Sequence, residues 1–284
     1  GTEWTVGSSY KYSIMNIKAT HKDVETNKTV TDLNEYVIGL TYFSDQHEID
    51  VKACSYVYVP DDIMELLNSK NIVLKDESKV LAIAASTFSN QIYIKSVDLD
   101  GIEYIGDSAF SGCPYITEET IPESVRYMGK GVFKGSGLKT LIFKNKVLNI
   151  PASFCENTVV SKVEFSYPKM VKNIGESAFA NTVLTDYILP ASSEDVIISK
   201  KAFANCKQLA KAILPDNTTQ IDTEAFSGCT ALSAVSIGNG VSKIGDKAFY
   251  GCSTLTDITL NNSILSLGKN AFMNCTSLLS LIIW

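Results

Sequence analysis

The stretch IGDKAFYGCSTLTDITL, Ile244–Leu260, decides the fold because its parts recur along the chain. An aliphatic residue five before the central Phe249 is followed by Gly245, Ala248 sits directly before the Phe, and Cys252 lies three after it. Leu255, Ile258 and Leu260 then follow at +6, +9 and +11. Working outward, the Phe returns as Phe88, Phe110, Phe133, Phe154, Phe179, Phe203, Phe226 and Phe272, in steps of 21 to 25 residues. The aliphatic returns as Ile105, Met128, Ile174, Ile198, Ile221 and Leu267, with Gly behind it at Gly106, Gly129, Gly175 and Gly268. Cys returns at +3 as Cys113, Cys206, Cys229 and Cys275, and the final triplet as Ile94, Val97, Leu99 and as Val160, Val163, Phe165.

A unit of this length cannot bury its own apolar face, but stacked units bury a shared core, which is the logic of a solenoid. The triplet predicts a short strand with alternate residues inward, and such strands stack in parallel about 4.8 Å apart. The A-F-x-x-C segment returns on the opposite side as a helical turn or irregular arc. The Gly before it is expected to supply a positive φ or a tight bend. Phe110, Phe179, Phe203, Phe226, Phe249 and Phe272 are expected to form one buried stack. Equivalent cysteines in neighbouring units fall within disulfide reach, about 5 Å. Stacking turns their side chains parallel rather than toward one another, so buried free thiols are expected. The pattern is irregular mid-chain. Ser136, Asn157 and Thr182 stand at the Cys position, Cys155 is displaced to +1, and the link before Ile198 reads ASSEDV. Local bending is expected there.

With IPESVRYMG, Ile121–Gly129, the opening stretch resembles the BspA-type leucine-rich repeat family over roughly residues 80–284. The resemblance implies a leucine-rich repeat solenoid with a parallel β-sheet face and short helical or irregular return segments, about nine units of ~23 residues. It also implies a bacterial protein at the cell surface or outside the cell. An adhesin-like, noncatalytic role follows, with a host extracellular-matrix or other surface protein as partner. The family shares no catalytic residues, so none is carried over.

Residues 1–79 lack the repeat. Their Thr, Val, Tyr and Ile favour strands, as in Tyr10–Ile14, Tyr36–Phe43 and Ile49–Val59. A small β-rich domain capping the first of the repeats of 80–284 is the first reading, and degenerate repeats are the alternative. Asp61–Asn68 has a helix-like start with carboxylates in its first turn.

Lys and Arg number 25 against 31 Asp and Glu, a net charge of −6. That argues against a nucleic-acid partner, which would require a basic footprint. No apolar run approaches the ~18 residues of a membrane span, and no targeting segment is read in a chain opening at Gly1. His21 and His47 are the only histidines, and Asp23, Asp45 or Glu48 could join them on a metal, but solvated loop histidines explain both. No Walker A loop, G-x-G-x-x-G turn, H-E-x-x-H helix, CxxC pair or G-x-S-x-G elbow is present. No cofactor is expected. Asp98, Asp100 and Glu118 offer a conceivable cation site, against which a solvated face is the plainer reading.

The candidate binding residues lie on the outward side of the strands. One lane runs Asp98, Thr120, Ile142, Glu164, Ile188, Ile213, Ser236, Thr259 and Ile282. Outward aliphatics at Ile142, Ile188 and Ile213 are unusual on a wet sheet face, though β-propensity alone also explains them. With Thr140, Lys144, Lys162, Glu164, Asp186 and Lys211 they define a candidate protein-binding face. The last strand, Leu278–Trp284, offers an apolar edge for end-to-end self-association. The competing functions are a structural assembly unit and an enzyme with its chemistry in the N-terminal segment.

Overall fold

The computed structural model describes residues 2–6, 10–22, 29–43, 48–49, 81–83, 85–91, 94–97, 99–146, 149–189 and 195–283. Strands Thr2–Val6, Tyr10–Lys22 and Thr29–Phe43 pair antiparallel in that order. Glu48–Ile49 pairs in parallel with Ser96–Val97 of the repeat region. The helix-like start at Asp61–Asn68 lies outside the described residues, as do His47, Cys54 and Asp98.

The repeats wind as a parallel solenoid with strands on two sides. The first lane holds the expected triplet strands: Glu118–Ile121, Thr140–Phe143, Lys162–Phe165, Asp186–Ile188, Lys211–Ile213, Ala234–Ser236, Asp257–Leu260 and Ser280–Ile283. A second lane forms at the aliphatic before each Gly, in short strands such as Asn149–Ile150, Asn173–Ile174, Val196–Ile198, Thr218–Ile221, Lys243–Ile244 and Ser266–Leu267, which make one six-stranded parallel sheet. The return segments are therefore not helical. Each is this second strand followed by a turn-built arc, and a 3-10 turn at Pro168–Met170 is the one helical element among the described residues.

Inside, the Phe rings stack. Phe88–Phe110, Phe110–Phe133, Phe179–Phe203, Phe203–Phe226, Phe226–Phe249 and Phe249–Phe272 have centroids 5.1–5.6 Å apart and near-parallel planes. Most are fully buried, but Phe272, in the last described turn, is only partly covered, since no described ring stacks on its far side. The stack breaks at Phe154, whose ring meets Phe133 edge-on at 85°. Aligning on Phe misplaces this unit by one residue. Phe133 N–H donates to Phe154 O, and Cys155 N–H to Ala178 O, whereas Phe110 N–H donates to Val132 O and Phe179 N–H to Ala202 O. Phe154 thus fills the Ala position and Cys155 the Phe position. Thr158, not Asn157, then stands in the Cys column. The lost ring volume is replaced from the first lane, where Phe143 packs against Phe154 and Phe165 at 5.8 and 5.1 Å.

The Gly behind the second-lane aliphatic does not supply a positive φ. A Cβ on Gly129, Gly175, Gly245 or Gly268 would strike the backbone of the preceding turn. These glycines permit close approach between turns. The left-handed positions lie within the arc, two before and two after the stacked residue: Ser177 and Asn181, Lys201 and Asn205, Asn270 and Asn274.

Cys113, Cys155, Cys206, Cys229, Cys252 and Cys275 are buried and unbridged. Geometry explains the column. Each thiol donates to the Phe carbonyl one turn back, Cys206 to Phe179 at 3.1 Å, Cys229 to Phe203 at 3.1 Å and Cys275 to Phe249 at 3.1 Å. Thr158 and Thr182 instead donate to Cys155 O and Phe179 O of their own arcs, at 2.7 and 2.8 Å. Burial pushes the Cys113 thiol up to about 11 and raises Cys155, Cys229 and Cys252 as well. At Cys206 the Cys229 thiol acts the other way and lowers it. The raised thiols bind their protons more tightly folded than unfolded. Their contribution is whole below about pH 9 and is lost as pH rises through the folded values. The melting temperature is expected to fall above about pH 9, and the six thiols are expected to resist alkylation until the chain is denatured. Bridged cysteines in mass spectra of denatured, unreduced protein would refute this arrangement.

Candidate functional site

Ladder pairing fixes the outward face. Thr140 lies between Glu118 and Lys162, and Ile142 between Thr120 and Glu164. Farther along, Lys211 lies between Asp186 and Ala234, and Ile213 between Ile188 and Ser236. The expected lane is in register on both ladders, because inward Leu141, Tyr187 and Ala212 hold the pleat from behind. The two groups do not share a sheet. One ladder ends at Lys162–Phe165 and the next begins at Asp186–Ile188. Thr140, Ile142, Lys144, Lys162 and Glu164 are thus brought together on the first, and Asp186, Ile188, Lys211 and Ile213 on the second.

Ile188 is the most open of the aliphatics, 55% exposed, while Ile142 and Ile213 are half-buried. Lys144, Lys162, Glu164, Asp186 and Lys211 are exposed, and Lys162 pairs with Glu164 along its own strand. A shallow depression of about 370 Å³ adjoins the first group, lined by Asp100, Glu118, Thr120, Thr140, Ile142 and Lys144 among others. Another of about 380 Å³ adjoins the second, reaching from Lys211 and Ile213 to Asp257 and Thr259. At its edge the Ser280 hydroxyl, 2.6 Å away, holds the Asp257 carboxyl below its ordinary range. Among the described residues no group of three or more His, Cys, Asp or Glu is arranged to hold a metal ion. No described helix is long and apolar enough to cross a membrane.

One surface cluster has no signal in the repeat pattern. Tyr167 OH donates to Glu123 Oε1 at 3.1 Å, two turns away, and Lys146 Nζ sits 5.7 Å from the Tyr167 ring centroid. These residues occupy the turns that leave three successive first-lane strands. The hydrogen-bonded partners are 44 residues apart, and no repeated residue type links them in the sequence.

The fold and its periodic face define a parallel-strand repeat solenoid. The profile described as BspA type leucine rich repeat region matches in six copies over residues 81–197 and 196–284. The chain belongs to the BspA-type leucine-rich repeat family. No curated protein sequence matches it. Among solved structures it is similar to a leucine-rich repeat protein from Bacteroides ovatus, with 20% identity, coverage of 98% of this chain and 94% of that one, and a TM-score of 0.43. A leucine rich cell surface protein from Faecalibacterium prausnitzii has 18% identity, coverage of 100% and 95%, and a TM-score of 0.35. The pneumococcal vaccine antigen PcpA has 20% identity, coverage of 100% and 82%, and a TM-score of 0.44.

Proposed function

We propose that this chain is a noncatalytic binding protein at a bacterial surface or outside the cell, and that its first-lane face recognises a protein partner. The observation that carries the reading is Ile188, an aliphatic 55% exposed on a sheet face in register with Ile213 and flanked by Asp186 and Lys211. Exposed apolar groups rimmed by charge mark interaction surfaces more often than bare solvent-facing sheet. Membership of the BspA-type family supports the surface location and the absence of a shared catalytic centre. A host matrix or other surface protein fits such a face, since an extended repeat sheet presents area rather than a deep pocket.

The test is an array of fibronectin, fibrinogen and mucin, followed by Ile142→Asp, Ile188→Asp and Ile213→Asp in one variant. Binding is expected to be abolished, while the circular dichroism spectrum stays that of the parent. A folded triple variant that captures its partner at parental affinity would move the binding face elsewhere.

A further inference from the structure

The position three residues after the outward lane has two fates along the chain. In the early turns it holds Glu123, Asn145 and Tyr167, which bond within the protein. Tyr167 OH donates to Glu123, and buried Asn145 donates from Nδ2 to Val125 O at 3.0 Å. In the later turns the position holds Asp216, Asn239 and Asn262, all exposed. Asp216 Oδ1 accepts from the Asn239 backbone N–H at 3.1 Å, while the Asn239 and Asn262 side-chain amides have no hydrogen-bond partner among the described residues. The exposed Ser236 and Thr259 hydroxyls, three residues earlier on the same two turns, are equally uncommitted.

These five side chains line one depression of about 550 Å³. Backbone fixes its shape. The Asn261 amide is held at both ends, Nδ2 donating to Gly238 O and Oδ1 accepting from the Ser263 N–H, each at 2.8 Å. Gly238 and Gly240 add no side chain there, and a Cβ on either would strike a carbonyl of the preceding turn, Pro215 O or Asp216 O. Half-buried Val235 and buried Ile237 lie in the same lining, and Asp216 is its one ionisable side chain.

We propose that this depression binds a neutral oligosaccharide. A side-chain amide presents a donor and an acceptor side by side, and a hydroxyl is both at once. That is the pairing the adjacent hydroxyls of a sugar ring require. Ser236 with Asn239 and Thr259 with Asn262 repeat it one turn apart, at the strand spacing of about 4.8 Å, so a linear chain meets the same groups twice. Val235, Ile237 and the bare Gly238 backbone offer apolar surface to the C–H face of a ring. Sulfated or carboxylated sugars are disfavoured, because Asp216 opposes their charge and no Lys or Arg in the lining offsets it. A protein partner is disfavoured here because the depression has no deep apolar pocket to take an anchoring side chain. The site adjoins the protein-binding face proposed above and does not depend on it.

Titration calorimetry with the hexasaccharides of the malto, cello, chito and manno series tests the proposal, with heparin and sialyllactose as acidic probes. At least one neutral hexasaccharide is expected to bind. Asn239→Ala and Asn262→Ala in one variant should weaken it about 10-fold or more, the effect of losing two neutral hydrogen-bonding groups. Both residues are exposed, so this variant should keep the parental circular dichroism spectrum. Ile142→Asp, Ile188→Asp and Ile213→Asp together should leave sugar binding unchanged, so this site and the protein-binding face fail separately. No binding of any neutral hexasaccharide at millimolar concentration overturns the proposal, as does binding of the acidic probes alone. Parental affinity in the asparagine variant overturns it too, since the sugar would then lie elsewhere.

Discussion

Phe226→Ala is expected to lower stability by about 3–5 kcal/mol, the usual range for emptying a fully buried aromatic site. The ring is sandwiched at 5.1 and 5.4 Å between Phe203 and Phe249, both fully buried, so neither neighbour can swing into the void without opening its own packing. Phe272→Ala provides the control on the same ladder. Its ring stacks on one side only and is partly exposed, so less apolar area returns to water when it is removed. Urea unfolding of both variants measures the difference. Equal losses would mean that the stack is not the element that holds the turns together.

Gly245→Ala is expected to cost about 3 kcal/mol, at the upper end of what overpacking does. The added methyl would lie 2.6 Å from Asp222 C and 2.9 Å from Thr223 Cα, atoms of the preceding turn's backbone that no rotamer change can move. Gly251 makes the contrast. Its φ is 73°, with no atom nearer than 4.0 Å to the position of a Cβ, so Ala there meets conformational strain of about 1–2 kcal/mol and no collision. Asn tolerates the left-handed region and holds the equivalent place at Asn205 and Asn274. Gly251→Asn should therefore recover most of the loss, and Gly245→Asn none. Thermal melts of the four variants separate the two roles; rescue at both positions would show that backbone conformation, not inter-turn distance, selects the glycine at 245.

The Phe ladder and the outward lane were legible because each depends on strict periodicity in side chains that face one way. Ile142 falls beside Thr120 and Glu164 as the spacing requires. The register around Phe154 was not legible from the aromatic alone. The more faithful marker is the pair of left-handed residues four apart, since Ser153 and Asn157 match Ser177 and Asn181. The second lane was hidden for another reason. Its strands, such as Lys243–Ile244, can be two residues long, too short for alternation to appear. The role of Gly245 is not visible in the sequence, which shows a residue without a side chain but not the neighbouring turn that leaves no room for one. Glu123, Lys146 and Tyr167 vary freely in identity from turn to turn, so their meeting has no periodic trace.

The backbone hydrogen bonds that join successive arcs, such as Phe226 N–H to Ala248 O, have a mechanical consequence. They lie along the stack, so a pull between its two ends loads successive junctions in series rather than all at once. Under tension such a stack peels turn by turn from its least supported place. The turn around Cys155 lacks a second-lane ladder toward Tyr127–Met128 and a first-lane ladder toward Asp186–Ile188, and here the missing ladders coincide with the break in ring stacking. The arc bonds from Phe133 to Phe154 and from Cys155 to Ala178 remain as the connecting spine. A tethered molecule would yield first at this seam. The outward face would part between Glu164 and Ile188, letting go of a ligand that spans both ladders before either half of the solenoid unravels.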